Sequence, residues 1–353
     1  MRIIIDILTP KQCMFLSRLT ESLDRRGHQI SQTTRKYREV NEILTLKGMQ
    51  ATIVGGHGGG TLVGKLRANA QRILALTRII DELNPDMAIS FSSPEMARVA
   101  FGLGIPHICI SDSPHAEAVS KLTIPLSKIL FTPKVIPKRV WVKYGIPSQD
   151  ILQYNALDPW AWLKDFTPGK EVLKQLNLET SKPILTFRTE ESLAAYLLGR
   201  TRGISTIPVV EKLIKKQENY QIVIMPRYKE QIESLKKTFK DKVTVCESTV
   251  DGASLLYYTT IFIGAGGTMS VEAALLGVPT LSCYPGDPYL IEKYLMKEGL
   301  IVRERKPEKI VKRILNMLKR IEDVKTRYAE RAQRLVEGFE DPIAFIAERI
   351  GRL

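Results

Sequence analysis

The chain has 353 residues, of which 44% are hydrophobic and 25% charged, and this composition excludes a disordered or fibrous protein and leaves room for two domains of ordinary size. No apolar run reaches the ~18 residues of a membrane-spanning helix. Asp6 interrupts the apolar N-terminal pattern, where a secretory segment would be uncharged, so we expect a cytoplasmic protein. The net charge of +14 requires an anionic partner, which could be nucleic acid, an anionic membrane surface or a phosphorylated substrate.

Segments with strand and helix periodicity alternate through the first half of the chain. Such alternation predicts a parallel sheet with helices on both faces, and ligands of such proteins bind beyond the carboxyl ends of the strands. The predicted strands lie at residues 3–8, 28–33, 86–91 and 107–111, a further strand within residues 52–60 opens into a glycine-rich loop, and the predicted helices lie at residues 15–26, 62–83 and 93–102.

A second series of strand patterns follows residues 160–162, which we interpret as the boundary between two domains. We therefore predict an α/β protein with one doubly wound Rossmann-like domain in residues 1–162, a second in residues 163–337, and a last helix in residues 338–353 that could cross back to the first domain. The predicted strands of the second domain lie at residues 184–187, 222–225, 243–245, 261–264 and 280–283.

The most informative segment predicts a buried strand, a glycine turn and a compact helix in residues 261–279. The backbone N–H groups of such a turn and the positive end of the helix favour an anion, so we predict that Gly266, Gly267 and Thr268 bind a nucleotide diphosphate. Glu272, one turn further on the same helix face, could reach the ribose hydroxyls. An ordinary strand-to-helix turn with a glutamate that compensates the helix dipole is the alternative.

The spacing from Gly266 to Glu272, followed by Ala-Ala-Leu-Leu-Gly-Val-Pro, resembles the C-terminal-domain signature of GT-B nucleotide-sugar enzymes. It is particularly similar to glycosyltransferases that make lipid-linked peptidoglycan precursors, and this implies that the helix start holds the diphosphate and Glu272 the ribose. Over nearly its whole length the chain is identified as a member of the DUF354 group, an archaeal family assigned to the GT-B superfamily. The resemblance implies two Rossmann-like domains that face each other across a cleft, and it is carried by residues 86–91, 93–95, 98–107 and 112–116.

The non-hydrolysing UDP-N-acetylglucosamine 2-epimerase is similar in fold and in its glycine-rich turn, but this sequence departs from it at catalytic positions. The acidic Gly-Asp-Thr segment of the epimerase corresponds best to Phe91-Ser92-Ser93, which lacks the carboxylate. Its Thr-X-His-Arg-Arg-Glu-Asn segment is approximated by residues 185–191, which retain an arginine and a glutamate but not the histidine. Because elimination and readdition of the nucleotide need those groups, a standard epimerase mechanism is not favoured.

The segment Asp112-Ser113-Pro114-His115 follows a predicted strand and is our candidate for catalysis. An acceptor hydroxyl that attacks a sugar must lose a proton, and histidine has a pKa suited to accept it near neutral pH. We therefore predict His115 as the general base and Asp112 as the group that orients it or takes the proton itself. The alternative is that Asp112 caps a helix beginning at Pro114. Glu95 is a further catalytic candidate, with a helix-start carboxylate as the favoured role.

Four more residues are predicted to bind substrate. His57 lies in a loop that we expect to be too flexible to be explained by packing and to close over acceptor or donor, with a plain mobile connection as the alternative. Lys11 lies in the other loop at that edge. Arg188 and Arg227 each follow a strand of the second domain and could bind the donor phosphates, with surface ion pairing as the alternative.

We expect neither a metal nor a cofactor. No paired carboxylates or DxD-like run indicate a metal site, and the four cysteines are too far apart in sequence for a zinc motif. The charge of the leaving group would then be neutralised by the helix terminus and the arginines. Specific nucleic-acid binding is not expected either, because no nucleic-acid-binding module is present.

Basic residues are concentrated in residues 306–320, where the apolar positions keep a helical period. Such a run is most often a solvated helix face, but it could also hold the protein loosely at the inner membrane face, where lipid-linked acceptors reside. We predict a metal-independent inverting glycosyltransferase that takes a UDP-sugar donor and a lipid-linked or glycan acceptor. The alternatives are an epimerase-like isomerase or a hydrolase that acts on a UDP-sugar, and a non-catalytic nucleotide-sugar-binding protein.

Overall fold

The computed structural model describes residues 1–189, 206–216 and 218–352. The chain divides into two compact units, of which the first comprises Met1–Trp162 and Phe339–Leu353 and the second Leu163–Gly338. Each unit contains one parallel sheet whose strands are connected by helices. Within the described ranges, no helix is both long and apolar enough to cross a membrane.

The first unit is built on a parallel sheet of seven strands. The strands are β1 (Arg2–Ile7), β2 (Gln29–Lys36), β3 (Thr52–Gly56), β4 (Met87–Ser90), β5 (His107–Ile110), β6 (Ile129–Pro133) and β7 (Ile151–Tyr154). The helices that connect and follow them are α1 (Pro10–Asp24), α2 (Arg38–Leu46), α3 (Leu62–Leu83), α4 (Pro94–Gly102), α5 (Glu117–Thr123), α6 (Arg139–Val142) and α7 (Trp160–Leu163), with short 3-10 turns at Ile124–Leu126 and Ser148–Asp150. The strand order is β3-β2-β1-β4-β5-β6-β7, so the order reverses between β1 and β4, where α/β proteins bind ligands.

The second unit is built on a parallel sheet of six strands. The strands are β8 (Ile184–Arg188), β9 (Gln221–Met225), β10 (Thr244–Val245), β11 (Ile261–Gly264), β12 (Thr280–Ser282) and β13 (Ile301–Arg303). The helices are α8 (Glu171–Gln175), α9 (Ile207–Ile214), α10 (Lys229–Phe239), α11 (Gly252–Tyr258), α12 (Thr268–Leu275), α13 (Leu290–Lys297), α14 (Pro307–Leu318) and α15 (Ile321–Glu337), with a 3-10 turn at Lys240–Lys242. The order β10-β9-β8-β11-β12-β13 reverses between β8 and β11.

The last helix, α16 (Pro342–Ile350), belongs to the first unit. Asp341 caps its N-terminus by accepting hydrogen bonds from the backbone of Ile343 and Ala344. The ring of Phe345 packs edge-on against Phe131 of β6, with 6.3 Å between the ring centroids. An aromatic contact with the central sheet therefore fixes the C-terminal segment in the first unit.

Helix α1 begins at Pro10, five residues before the predicted start at residue 15. Thr9 caps it, because its hydroxyl accepts a hydrogen bond from Gln12 N at 3.4 Å, and proline suits the first helical position. Lys11 therefore lies on the first turn of a helix, and the prediction that it lies in a loop is wrong. The Thr-Pro pair is a helix-start signal that was interpreted as a loop.

Asp6 lies in the buried run of β1 and is itself fully buried. Arg72 of α3 donates Nη1 to one carboxylate oxygen at 2.9 Å and Nη2 to the other at 2.5 Å, and Thr33 donates its hydroxyl at 2.8 Å. The Nε of Arg72 donates to the carbonyl of Val54 at 3.0 Å. A buried charge is tolerated only when it is paired and hydrogen-bonded, so this network fixes the inner side of α3 against the sheet.

The glycine-rich loop after β3 is packed, and the expectation that packing cannot explain it is wrong. A Cβ added to Gly58 would lie 2.5 Å from the backbone of Gly64 and Lys65, so two backbone segments cross where only glycine fits. The imidazole of His57 stacks on the ring of Tyr37, with 5.0 Å between centroids, and its Nδ1 accepts a hydrogen bond from Gly59 N at 3.2 Å. Close backbone approach, rather than mobility, accounts for the glycines.

Helix α14 carries the basic stretch of residues 306–320. Its apolar residues Ile310, Val311 and Ile314 are buried in the core of the second unit. Its charged residues, such as Lys312 and Arg313, are exposed. The stretch is therefore a solvated helix face, as the pattern most often indicates.

His107 is fully buried at the start of β5, where its two ring nitrogens each lie 2.9 Å from a serine hydroxyl, of Ser90 and Ser127. Burial lowers its pKa to about 4. Between about pH 6.5 and pH 4 the unfolded chain therefore binds a proton that the folded chain does not, and we expect His107 to remove about 3 kcal/mol of stability as the pH falls through that window.

This expectation is tested by urea unfolding at pH 7 and pH 4.5 for the wild type and His107→Gln. The variant should lose less of its unfolding free energy between the two pH values, because glutamine does not titrate. Equal pH-dependent losses in the two proteins would show that His107 is not kept neutral by the fold.

Candidate functional site

The turn after β11 is built from glycines that have left-handed backbone conformations. Gly266 and Gly267 have φ values of +83° and +93°, where any side chain is strained. Gly267 is the N-cap residue of α12, and no side chain caps the first turn of that helix. The first N–H groups and the positive helix end therefore have a geometry that favours an anion, and diphosphate binding by Gly266, Gly267 and Thr268 stays a prediction.

Both predicted arginines lie at this turn. A Cβ added to Gly267 would be 3.3 Å from Nη2 of Arg227, and Arg188 is the residue of β8 that pairs with Gly264 of β11. The backbone of the neighbouring loop holds each side chain. Arg188 Nη1 donates to the carbonyl of Pro226 at 2.8 Å, and Arg227 Nε donates to the carbonyl of Thr189 at 3.2 Å. The guanidinium of Arg227 thus adds positive charge beside the N-terminus of α12, whereas that of Arg188 lies at the end of β9.

Glu272 lies one turn beyond Thr268 on α12, and only 8% of its surface is exposed. A carboxylate that merely offsets the helix dipole is expected to remain in water, because burial of a charge is costly. The ribose contact of Glu272 stays a prediction. The position of Glu272 is compatible with that contact.

Three residues at the carboxyl end of β12 and β13 were not predicted. The ring of Tyr284 lies 3.5 Å from the position that a Cβ on Gly266 would take, and the guanidinium of Arg303 donates to the carbonyl of Tyr284 at 3.2 Å. Glu292 of α13 is 93% buried. Burial raises the pKa of Glu292, and the Ser282 hydroxyl and Arg303 act against that rise. Tyr284 follows a predicted strand and could have been recognised from that signal.

In the first unit, Lys11 joins two carboxylates at the carboxyl end of the sheet. Its Nζ lies 2.5 Å from Asp112 Oδ2 and 2.6 Å from Asp158 Oδ2, and it sits 4.5 Å from the centre of the Phe91 ring. The hydroxyl of Tyr154 donates to the other oxygen of Asp158 at 2.5 Å. Lys11 and Asp112 were predicted and Asp158 was not, because Asp158 follows a strand, β7, that was not predicted.

The buried ammonium controls the ionisation of this group, which we call the Lys11 cluster (Lys11, Asp112 and Asp158). Burial acts to raise the pKa of Asp112, but Lys11 and the Ser113 hydroxyl outweigh it, so the pKa is lowered. Burial raises the pKa of Asp158 to about 6 against the opposing effect of Lys11. Asp112 is therefore an anion at neutral pH, and Asp158 is the carboxylate of the cluster that protonates first as the pH falls.

His115 lies beside the Lys11 cluster. Burial lowers its pKa to about 4, while the Asp112 carboxylate acts to raise it. The imidazole is therefore neutral at pH 7 and able to accept a proton, although a base with so low a pKa is weak. The negative charge of Asp112 acts to raise the pKa of His115 and so makes it a stronger base.

The alternative in which Asp112 caps a helix at Pro114 is wrong. Helix α5 begins at Glu117 and its N-cap residue is Ala116, so Asp112 lies outside the helix and pairs with Lys11 instead. Glu95, by contrast, is in the first turn of α4 and accepts a hydrogen bond from the N-cap residue Ser93 at 3.3 Å. That contact is the favoured role of a helix-start carboxylate.

His57 is set apart from the Lys11 cluster within the first unit. It follows the edge strand β3, whereas Lys11 follows β1, which is separated from β3 by β2. Neighbouring strands are ~4.8 Å apart, so the sheet places His57 about 10 Å to one side. The sequence could not show this, because strand order is not visible in it.

Comparison with known proteins places the chain in a family. The model of the family described as a protein of unknown function, DUF354, matches residues 1–352. The chain belongs to the DUF354 family. Its relative in Methanocaldococcus jannaschii, the uncharacterized protein MJ0665, is 30% identical over 312 residues, which are 87% of this chain and 89% of that protein.

Solved structures resemble this DUF354 protein along almost all of its length. UDP-GlcNAc 2-epimerase from Neisseria meningitidis bound to UDP-GlcNAc has a TM-score of 0.78 at 16% identity, with 100% of both chains covered. The Methanocaldococcus jannaschii UDP-GlcNAc 2-epimerase in complex with UDP-GlcNAc and UDP has a TM-score of 0.72 at 16% identity, covering 90% of this chain and 93% of that one. Spinosyn rhamnosyltransferase SpnG has a TM-score of 0.64 at 15% identity, covering 98% and 99%. The protein therefore has the GT-B fold of these epimerases and glycosyltransferases.

The segment that approximates the epimerase motif is described only in part. Arg188 and Thr189 are placed at the end of β8, and Glu190 and Glu191 lie outside the described residues. Among the residues that the structure describes, no group of three or more His, Cys, Asp or Glu side chains could hold a metal ion. The four cysteines are buried, and none forms a disulfide within the part of the chain that the structure describes.

Proposed function

We propose that the protein is a metal-independent inverting glycosyltransferase whose donor is a UDP-linked sugar. The observation that carries the proposal is the pair of left-handed glycines at the start of α12, with Arg227 3.3 Å from the Cβ position of Gly267. A diphosphate needs both N–H donors and positive charge, and this turn offers both. The proposal is further supported by neighbours of the same fold that are bound to UDP-GlcNAc or UDP.

In this proposal the second unit stabilises the leaving group. When the bond between the anomeric carbon and the phosphate oxygen breaks, its electron pair goes to the nucleotide diphosphate. The N–H groups of the glycine turn, the helix end of α12 and the guanidinium of Arg227 would stabilise that developing charge. Preorganised dipoles of this kind are worth more in a partly buried site than in water.

The first unit supplies the base. The acceptor hydroxyl, of a glycan or lipid-linked acceptor, attacks the anomeric carbon, and its proton passes to the neutral imidazole of His115. The Asp112 anion, held by Lys11, favours the imidazolium that forms. Glu95 is engaged at the start of α4, and His57 is packed on Tyr37. His115 is therefore the best-placed base of the three.

Product analysis with radiolabelled UDP-sugars tests the reaction. In the presence of cell-extract acceptors, we expect label to leave the donor and appear in an acceptor with release of UDP. Release of free sugar without acceptor would indicate a hydrolase, and a labelled epimer of the UDP-sugar would indicate an isomerase. Binding of the UDP-sugar without any turnover would indicate a non-catalytic binding protein. Each of the last three results contradicts transfer.

The isomerase is the runner-up because the epimerase from Neisseria meningitidis has a higher TM-score than the rhamnosyltransferase, 0.78 against 0.64. The residues argue against it. The segment Phe91-Ser92-Ser93 lacks the carboxylate of the epimerase motif, and residues 185–191 lack its histidine. Transfer needs neither group, and it remains the better-supported reaction.

A further inference from the structure

Helix α3 exposes apolar residues and buries an arginine, the reverse of an ordinary surface helix. Arg72, Leu76 and Ile80 face the sheet, because Arg72 neutralises Asp6. The large apolar residues that the helix exposes are Leu62, which is 67% exposed, Val63 at 60%, Leu66 at 69% and Leu74 at 69%. We call these four residues the outer face of α3.

The N-terminal part of the outer face of α3 is bordered by positive charge, and the acidic residues of the helix lie at its C-terminal end. From Leu62 to Ile80 the helix contains Lys65, Arg67, Arg72 and Arg78 and no acidic residue, and Asp81 and Glu82 follow in its last turn. Arg72 is paired inside the unit, whereas Arg67 and Arg78 are exposed. The exposed leucines of the first turns therefore lie among cations, and such a surface suits neither water nor another cationic protein surface.

This surface lies near the carboxyl end of the first sheet. Helix α3 starts directly after the packed loop that follows β3, so Leu62, Val63 and Leu66 in its first turns lie nearest to that end. The Lys11 cluster lies at the same end of the sheet, beyond β1, β5 and β7. A surface that binds the outer face of α3 would therefore lie on the side of the unit where the proposed base is found.

We propose that the outer face of α3 docks on an anionic lipid bilayer. Leu62, Val63 and Leu66 insert between the lipid headgroups, and Arg67 and Arg78 pair with lipid phosphates. Amphipathic helices with this distribution bind in the membrane interface, and each nearby cation strengthens the attraction to anionic lipid. The net charge of +14 acts in the same direction over a longer range.

The basic stretch on α14 cannot provide this contact by insertion, because its apolar residues Ile310, Val311 and Ile314 are already buried in the core. It offers exposed charge alone, and Glu308 on the same helix pairs with Lys212 at 3.0 Å. Attraction of anionic lipids by exposed charge alone, without insertion of apolar side chains, would be similar for any cationic surface of the protein. The apolar component therefore distinguishes the outer face of α3 from α14.

Vesicle sedimentation of the full chain tests the proposal. The protein should bind vesicles of phosphatidylglycerol and phosphatidylcholine at low ionic strength, bind pure phosphatidylcholine much less, and be released at about 1 M salt, where the Debye length is ~3 Å. Leu66→Ser should lower the partition coefficient on the order of tenfold, because an inserted leucine is lost. Leu122→Ser, at a leucine of α5 that is 56% exposed, is the matched control and should bind like the wild type.

Charge is tested in the same way with Arg67→Gln on α3 and Arg313→Gln on α14. A loss with Arg67→Gln alone supports the proposal, and a loss with Arg313→Gln alone overturns it. Absence of vesicle binding by the wild type also overturns it. So does a dimer, seen by light scattering, that Leu66→Ser dissociates, because a second copy of the chain would then cover this face.

The vesicle-binding test does not depend on the proposed UDP-sugar donor. Leu66→Ser should leave the affinity for UDP unchanged in calorimetry, since α3 and the glycine turn belong to different units. Failure to bind vesicles would leave the proposed transfer reaction standing, and failure to bind UDP would leave the membrane surface standing. Because Leu66 is largely exposed, Leu66→Ser should not unfold the protein. Circular dichroism of the variant checks that it is folded.

Discussion

Replacing Gly267 by valine should abolish UDP binding while the protein remains folded. The residue has a φ of +93°, and a Cβ there would lie 3.3 Å from Arg227 Nη2, so a branched side chain strains the turn and displaces the guanidinium. Each hydrogen bond to a charged group contributes about 1.5–3 kcal/mol, so the loss of two should weaken binding by about 100-fold or more. Isothermal titration calorimetry with UDP measures the effect.

A matched control separates backbone strain from the loss of the anion site. Gly104 in the first unit has a φ of +70°, and a Cβ there would meet no atom within 4 Å. Gly104→Val should therefore show comparable strain in its melting curve and normal affinity for UDP. Unchanged affinity in Gly267→Val would rule out the glycine turn as the diphosphate site, and loss of affinity in both variants would attribute the effect to destabilisation.

The glycine turn of the second unit and the strands around it could be predicted because their signals are local. The strand at residues 261–264, the glycine turn and the helix start at Thr268 follow from apolar pattern, glycine and capping rules alone. Arg188 and Arg227 could be placed at the carboxyl end of the sheet because each lies at or just after the end of a recognisable strand. The contact of Arg227 with the glycine turn depends on the order of the strands in the sheet, and the sequence pattern does not contain that order.

The first unit was harder to predict because its site is formed by distant segments. Lys11 and Asp158 come together over 147 residues of sequence, and the strand before Asp158, β7, has only four residues, Ile151–Tyr154. A short strand next to a proline-rich segment gives little periodicity. The Thr9-Pro10 helix start was visible in the sequence and was interpreted as a loop. The packing of His57 on Tyr37 depends on the pairing of β2 with β3 and could not be foreseen.

His115→Ala should lower kcat for sugar transfer by about 10²–10⁴-fold, the usual contribution of a general base, while the affinity for UDP barely changes. The chain has four histidines, and the structure gives two of the others packed surroundings, since His107 is held between two serines and His57 is stacked on Tyr37. His57→Ala is therefore the matched control and should retain most of the activity. His115→Ala that keeps full activity would exclude His115 as the base.

The pH dependence gives this prediction a sharper test. Because burial lowers the pKa of His115 to about 4, its imidazole stays unprotonated as the pH falls through 6.5, and kcat/KM should decline near pH 4 instead. Asp112→Asn removes the carboxylate that raises this pKa, so the base becomes weaker and kcat should fall while the decline moves to lower pH. A decline near pH 6.5 that His115→Ala leaves in place would assign the titrating base to another residue. A decline near pH 6 that Asp158→Asn removes would assign it to the second carboxylate of the Lys11 cluster.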